Sequence, residues 1–262
     1  MRKLVHIFNY LDFLLKSKTA HGIHSPFVYQ FVTEVLHDKT GFVEYELVKK
    51  VRNRFRRSKQ LIEITDFGAS SGKHRFTTRF RLVGHIARSS GVPACMGELL
   101  FRTVRHYKPE NIIELGTSLG ISTMYLSLAN PDAKITTIEG CATTAEIAQK
   151  NFKDNHLENI ELRCGEFRHM LNHVIKEMPR LDFAFIDGNH RKEPTLGYFK
   201  TCLEKSHNDT ILVFDDIYWS KGMKQAWGQI KSHPRVTVSI DLFRFGIVFL
   251  RKELSKESFV IR

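Results

Sequence analysis

The sequence predicts a doubly wound α/β domain, and three observations carry that expectation. From Asn111 onward, short β-rich runs alternate with helical segments, the rhythm of a parallel sheet with right-handed crossovers. The run Ile112-Ile113-Glu114-Leu115 leads into Gly116-Thr117-Ser118-Leu119-Gly120, a buried strand, a glycine turn and a helix start. The next strand, Lys134-Ile135-Thr136-Thr137-Ile138-Glu139, ends in an acid about 20 residues further on, where a carboxylate suits a ribose with two free hydroxyls. Together these point to a ligand that contains a nucleoside.

Taken in order, residues 1–95 read as a mainly helical extension and residues 96–262 as the ligand-binding domain. Leu4, Ile7, Phe8, Leu11, Leu14 and Leu15 follow the spacing of an amphipathic helix. In His21-Gly22-Ile23-His24-Ser25-Pro26, Ser25 suits an N-cap and Pro26 the first helical position, for a helix running to about Leu36. His21 and His24 fit the loop before that helix; substrate contact or metal ligation is the alternative. Residues 97–107 form a helix beside the glycine turn. Strands are expected at 112–115, 135–139, 160–163, 183–186 and 211–214, with helices between them. Residues 236–242 and 246–251, joined by a short link, read as a terminal hairpin. A second turn, Asp66-Phe67-Gly68-Ala69-Ser70-Ser71-Gly72, is a decoy. The segment from Lys73 to Arg81 makes a poor sheet-packing helix, and no strand with a terminal acid follows at the right distance. A surface turn that does not touch the ligand is expected there.

With 262 residues the chain can bury one good core and carry an accessory segment. No apolar run approaches the roughly 20 residues of a membrane span. His6, Asn9 and Asp12 interrupt the first apolar stretch, which is unlike a signal peptide. Cys95, Cys141, Cys164 and Cys202 show neither C-x-x-C pairing nor metal-like spacing, as expected of reduced thiols in a cytoplasmic protein. The formal charge is +12, much of it in residues 49–59 and 73–88. That basic N-terminal segment suits an anionic substrate or nucleic acid; a solvated helix face is the plainer reading. The oligomeric state is open, a homodimer included.

The glycine spacing is Glu-x-Gly-x-x-x-Gly, not the dinucleotide pattern, and Glu114 beside the turn would repel a pyrophosphate. A carboxylate there favours a cationic ligand. Residues 112–139 resemble the cofactor half of class I S-adenosylmethionine-dependent methyltransferases. The resemblance implies a Rossmann-like sheet of five parallel strands plus a C-terminal antiparallel hairpin. It also implies that Gly116, Thr117, Ser118 and Gly120 wrap the methionine portion, with Glu114 toward its amino group. Glu139, followed by Gly140, would take the ribose, and Glu166 in Cys164-Gly165-Glu166-Phe167 the adenine.

Asp187 ends the run Leu181-Asp182-Phe183-Ala184-Phe185-Ile186, and Asp215 and Asp216 end Ile211-Leu212-Val213-Phe214. Carboxylates above one crevice offer hard oxygen ligands, which suits Mg²⁺ or Ca²⁺ holding a diol. These segments resemble the cation-dependent O-methyltransferases of the catechol and caffeoyl-coenzyme A type. In that group an Asp after the fourth strand and an Asp-Asn pair after the fifth hold the metal. Asp187 and Asp215 match, while Asp216 replaces the Asn. Where the catechol enzyme has a general-base Lys three residues after the first Asp, this chain has His190, whose chemistry suits proton transfer. Asp187, which also touches the cofactor in this reading, and His190 are the expected catalytic pair. Trp219 either walls the acceptor pocket or packs on a helix. The first ninety-odd residues are similar instead to bacterial class I methyltransferases that carry a His-Gly-x-His-Ser-Pro-Phe segment. The expectation is methylation of a small hydroxylated acceptor, helped by a divalent cation. The alternatives are an RNA or tRNA methyltransferase using the basic segment, and a cofactor- or partner-binding protein without turnover.

Overall fold

The computed structural model describes residues 2–66 and 77–262. The chain opens with α1 (Arg2–Lys16) and α2 (Pro26–Phe31), which runs on as a π-helical turn over Val32–Leu36. Then come α3 (Val43–Arg57), β1 (Leu61–Asp66), β2 (Thr77–Leu82), α4 (Val83–Ser89) and α5 (Ala94–Tyr107). The alternating part follows: β3 (Asn111–Leu115), α6 (Ile121–Ala129), β4 (Lys134–Glu139), α7 (Ala142–Asp154), β5 (Ile160–Cys164), α8 (Phe167–Glu177), β6 (Leu181–Ile186), α9 (Lys192–Leu203) and β7 (Ser206–Phe214). The chain closes with α10 (Lys221–Ser232), β8 (Val238–Asp241), β9 (Gly246–Phe249) and β10 (Glu257–Val260).

The main sheet has the order β10-β8-β9-β7-β6-β3-β4-β5. Strands β5, β4, β3, β6 and β7 are parallel, and β9 joins β7 and β8 antiparallel. Every residue of β6 is buried, as is expected of a central parallel strand covered by helices on both faces. β3 sits between β4 and β6, so the chain leaves it first toward one edge and later toward the other. That reversal opens a crevice at the carboxyl ends of the strands. The expected five-stranded parallel sheet with its hairpin is the observed one.

Two departures concern short strands. Residues 61–66 and 77–82 are not helical: β1 and β2 pair antiparallel in a separate two-stranded sheet, from Leu61 opposite Leu82 to Asp66 opposite Thr77. Only Ile62 and Ile64 point into the core, while Leu61, Phe80 and Leu82 are exposed, so the period-two signal is short and reads as a basic segment. The second glycine turn at 68–72 lies outside the described residues. β10 adds a parallel edge strand beside β8.

The N-terminal segment is not a separate globule. Val28, Phe31, Val32, Val35, Val48, Val51 and Phe55 share one continuous apolar core with Leu99, Phe101, Tyr125 and Phe249. Phe27 and Phe31 meet the Phe249 ring edge-on. α1 is less covered: Phe13 is buried, but Ile7, Phe8, Leu11 and Leu15 are exposed. Among the described residues no helix is long and apolar enough to cross a membrane.

Candidate functional site

Backbone hydrogen bonds continue the ladder past the ends of the central strands and fix the loops along one edge. Gly116 N–H donates to Ile138 O at 2.9 Å, Asp187 N–H to Leu115 O at 2.9 Å, Asp215 N–H to Ile186 O at 3.0 Å, and Gly165 N–H to Glu139 O at 2.8 Å. The expected site residues Gly116, Glu139, Glu166, Asp187 and Asp215 therefore lie on one rim. Several residues there have left-handed backbones: Ser118 (φ 48°), Asn189 (φ 66°), His190 (φ 34°), Asp216 (φ 52°) and Phe243 (φ 66°). Such conformations are uncommon outside glycine and gather at functional loops.

Gly116 is required by geometry. Its φ is +101°, and a Cβ there would lie 1.9 Å from the Asp187 carbonyl oxygen. The turn is thus pressed onto the loop after β6. Gly120, also left-handed, caps α6. Between these glycines the Ser118 N–H donates to Glu139 Oε2 at 2.7 Å, and Cys141 N–H donates to Glu139 Oε1 at 2.9 Å. Gly140 N–H contributes to the same carboxylate. Burial raises the Glu139 pKa, opposed by these backbone donors. The acid is thereby aimed at the turn with lone pairs remaining for a ligand hydroxyl. Glu166 takes the N-cap position of α8, one strand further out.

Glu114 is not among the residues lining the cavity described next. Its side chain is fully buried behind the turn, where Oε2 accepts from Thr123 Oγ1 at 2.5 Å and from Thr137 Oγ1 at 2.6 Å. It ties β3 to α6 and β4. Burial raises its pKa, opposed by the hydroxyls of Ser122, Thr123 and Thr137.

A cavity opens where Gly116, Thr117 and Ser118 meet Asp187 on one side and Arg52 and the 90–92 loop on the other. Sequence reasoning did not single out Arg52. Its signal was present: it lies on the buried stripe Val48, Val51, Arg52 and Phe55 of α3, where an arginine needs a reason. Only 6% of the residue is exposed. Nη1 donates to Val92 O at 2.6 Å; Nε and Nη2 are buried without a well-aligned hydrogen bond among the described residues, with the Tyr125 hydroxyl beside the guanidinium. Buried polar groups are rarely left so, and a guanidinium with donors to spare in a cavity wall suits an anion. Other members of the basic run are used elsewhere: Arg54 donates to Asn151 Oδ1 on α7 at 2.9 Å.

Asp187 differs from the acid five residues before it. Asp182, at the opposite end of β6, has its pKa lowered, because backbone and side-chain donors of Asn111, with His207 and Arg180, outweigh burial. The Asp187 pKa is raised well above the ordinary value, by burial first and then by the charges of Asp215 and Asp216, opposed by Arg244. A carboxylate perturbed by burial and like charge beside a cavity is the pattern of a working site. His190 Nε2 stands 3.5 Å from Asp187 Oδ1, and its ring is 6.2 Å from that of Trp219. Trp219 is largely exposed. α1 reaches this end too: His6, Tyr10 and Phe13 all contact the Phe243 ring, which stacks on Tyr218.

The expected shared cation at Asp187, Asp215 and Asp216 meets a different arrangement. Arg244, in the β8–β9 turn, makes a two-pronged pair with Asp215: Nε to Oδ1 at 2.8 Å and Nη2 to Oδ2 at 2.8 Å. The same Nη2 is 3.7 Å from Asp216 Oδ1. Asp215 is essentially inaccessible, so both of its oxygens are committed. Among the described residues no group of three His, Cys, Asp or Glu side chains is disposed to hold a metal ion. The donor set does not fit a divalent cation. Nothing in the spacing of Phe243-Arg244-Phe245 signalled this partner.

Comparison with known proteins finds likeness in both sequence and fold. Residues 113–217 match a family described as methyltransferase domain. The matched stretch runs from β3 to the loop after β7, the part of the chain that forms the rim. Over 136 residues, 49% of this chain and 61% of the relative, it is 30% identical to a catechol O-methyltransferase from Niastella koreensis. It is 27% identical over 126 residues to the mouse catechol O-methyltransferase domain-containing protein 1, covering 47% of each. These matches span about half to three fifths of the curated relatives' length. An O-methyltransferase from Bacillus cereus, solved with SAH, superposes with a TM-score of 0.56 at 22% identity, over 85% of this chain and 96% of that one. The O-methyltransferase TomG from Streptomyces achromogenes, solved with SAM, gives 0.58 at 18% identity, over 86% and 95%. These structures share the fold over most of this chain.

Proposed function

We propose that the protein transfers a methyl group from S-adenosylmethionine to a hydroxyl of a small acceptor. The carrying observation is the charge pattern of the cavity. A free amino acid end presents a carboxylate and an ammonium, and the cavity offers Arg52 to the first and Asp187 to the second. Glu139, across the glycine turn, is set for the ribose. Relatives described as catechol O-methyltransferases, and neighbours solved with SAH or SAM, support the same cofactor and acceptor class.

The chemistry is an in-line displacement. The acceptor oxygen attacks the methyl carbon, the C–O bond forms as the C–S bond breaks, and the sulfonium becomes a neutral thioether. Holding the two reactants in line supplies much of the acceleration. The hydroxyl proton passes to His190, which Asp187 holds, and then to water. Phe243, Tyr218 and α1 wall the acceptor end, so the N-terminal segment serves as its cover. No step is assigned to a divalent cation.

Transfer of isotopically labelled methyl groups to a panel of catechols, other phenols and RNA tests this reading. Label on a small hydroxylated compound supports it. Label on RNA alone would replace it with the RNA methyltransferase reading, and cofactor binding without transfer to any acceptor with a binding role.

A further inference from the structure

The arrangement around Asp215 has a consequence for the reaction. Three carboxylates, Asp187, Asp215 and Asp216, converge at the ends of β6 and β7, and such a cluster requires positive charge nearby. That charge comes from the chain itself. We propose that the Arg244 guanidinium stands in the position a divalent cation would fill in a carboxylate cluster of this kind, and that the site works without metal.

Three features carry this. First, the pairing is bidentate, with both bonds at 2.8 Å, the geometry in which a guanidinium fork saturates a carboxylate. A metal ion needs the same oxygens at about 2.0–2.6 Å. Second, Arg244 is held in place rather than swung in from solvent. Its carbonyl accepts from Ile217 N–H at 3.3 Å and its N–H donates to Leu242 O at 2.8 Å. The turn is anchored in addition by Asp241, whose carboxylate accepts from Phe243 N–H, Tyr218 Oη and Trp227 Nε1 at 3.0, 2.9 and 2.9 Å. Third, about a third of the Arg244 side chain stays exposed, beside the wall formed by Phe243 and Tyr218. A guanidinium with donors left over can hold an acceptor oxygen and favour its anionic form. It cannot, as a metal does, take two oxygens into one coordination shell. The acceptor site is therefore not tied to vicinal diols, and single phenols or carboxylated phenols suit it as well.

The consequence for catalysis rests on the methyl-transfer reading, but the test does not. Mn²⁺ uptake by the full-length chain, followed by electron paramagnetic resonance, reads the cluster directly. The wild-type protein should leave added Mn²⁺ free up to about 1 mM, the weak end of protein carboxylate sites. Arg244→Ala, which uncovers the three acids, should bind one Mn²⁺ per chain and lose it again when Asp215→Asn is added. Arg244→Lys, which keeps the charge, should bind none, and circular dichroism checks that each variant is folded. One Mn²⁺ bound by the wild type, displaced by Mg²⁺ and lost in Asp215→Asn, would overturn the proposal. So would a folded Arg244→Ala that takes up no metal. Cofactor affinity, measured separately by calorimetry, reports on methyl transfer and is independent of either outcome.

Discussion

Replacing Arg52 by Met separates a binding role from a structural one. In the structure Nη1 bonds to Val92 O, while Nε and Nη2 are buried without a well-aligned partner among the described residues and the Tyr125 hydroxyl lies beside them. A buried unsatisfied donor costs about 1–3 kcal/mol, and a hydrogen bond to a charged group contributes roughly 1.5–3 kcal/mol. Arg52→Met loses two polar contacts, to Val92 O and to the Tyr125 hydroxyl, and relieves two donor penalties, so the terms nearly cancel. Met also keeps most of the apolar stem on the buried face of α3. Tm should stay within about 4 °C, since 1 kcal/mol moves a chain of this size by roughly 2–4 °C. Cofactor binding should respond differently. Losing a charged hydrogen bond to the methionine carboxylate weakens affinity by about 1.5–3 kcal/mol, roughly 10- to 150-fold. Calorimetry with S-adenosylmethionine and its decarboxylated analogue makes the comparison specific. The analogue lacks only the carboxylate, so wild type and variant should bind it equally, and the coupling is the whole effect. If the variant weakens both ligands alike, or neither, Arg52 does not hold the carboxylate. A large drop in Tm would show instead that the buried guanidinium stabilises the fold.

Three further outcomes follow from the rim. Glu139→Gln should weaken cofactor binding by about 1.5–3 kcal/mol with little effect on adenine alone; unchanged affinity by calorimetry would remove the ribose assignment. Asp187 has a raised pKa in the folded state, so its contribution to stability is complete below the ordinary value of 3.8 and is lost as pH rises through the raised value. Asp187→Asn should therefore raise Tm near neutral pH and leave it unchanged below pH 3.8 while cofactor affinity falls; equal Tm at both ends would contradict the carboxylate clustering. His190→Ala should lower kcat by about 100-fold or more with cofactor affinity retained, whereas an unchanged rate makes His190 a bystander in the loop.

The parts of the fold legible from sequence were those with strong periodicity and burial. All five parallel strands lie where runs such as Phe183-Ala184-Phe185-Ile186 place them, because the central strands are buried and rich in β-branched and aromatic residues. The glycine turn was legible because Gly116 has no alternative: any side chain would strike the Asp187 carbonyl. The hairpin β1–β2 was not, because Phe80 and Leu82 face solvent and the alternation fails. Within the site, acids at strand ends could be read, since strand termini fall on one rim. What neutralises them could not. Arg52 and Arg244 arrive from α3 and from the terminal hairpin, 64 and 128 residues from Gly116 by their numbering, and only the packed fold brings them to the rim. Spacing rules work within a strand-turn-helix unit; long-range ion pairs leave no such trace. Glu114 shows the converse. Its type and place suggested the cofactor's amino group, but strand alternation turns its side chain under the turn, onto Thr123 and Thr137.

The most direct test is a structure of the full chain with S-adenosylhomocysteine. The ligand carboxylate should bind Arg52 Nε and Nη2, the ammonium should lie near Asp187 and the ribose hydroxyls on Glu139, with Arg244 still paired to Asp215. A ligand whose amino acid end leaves Arg52 unpaired, or whose ribose lies away from Glu139, would contradict it.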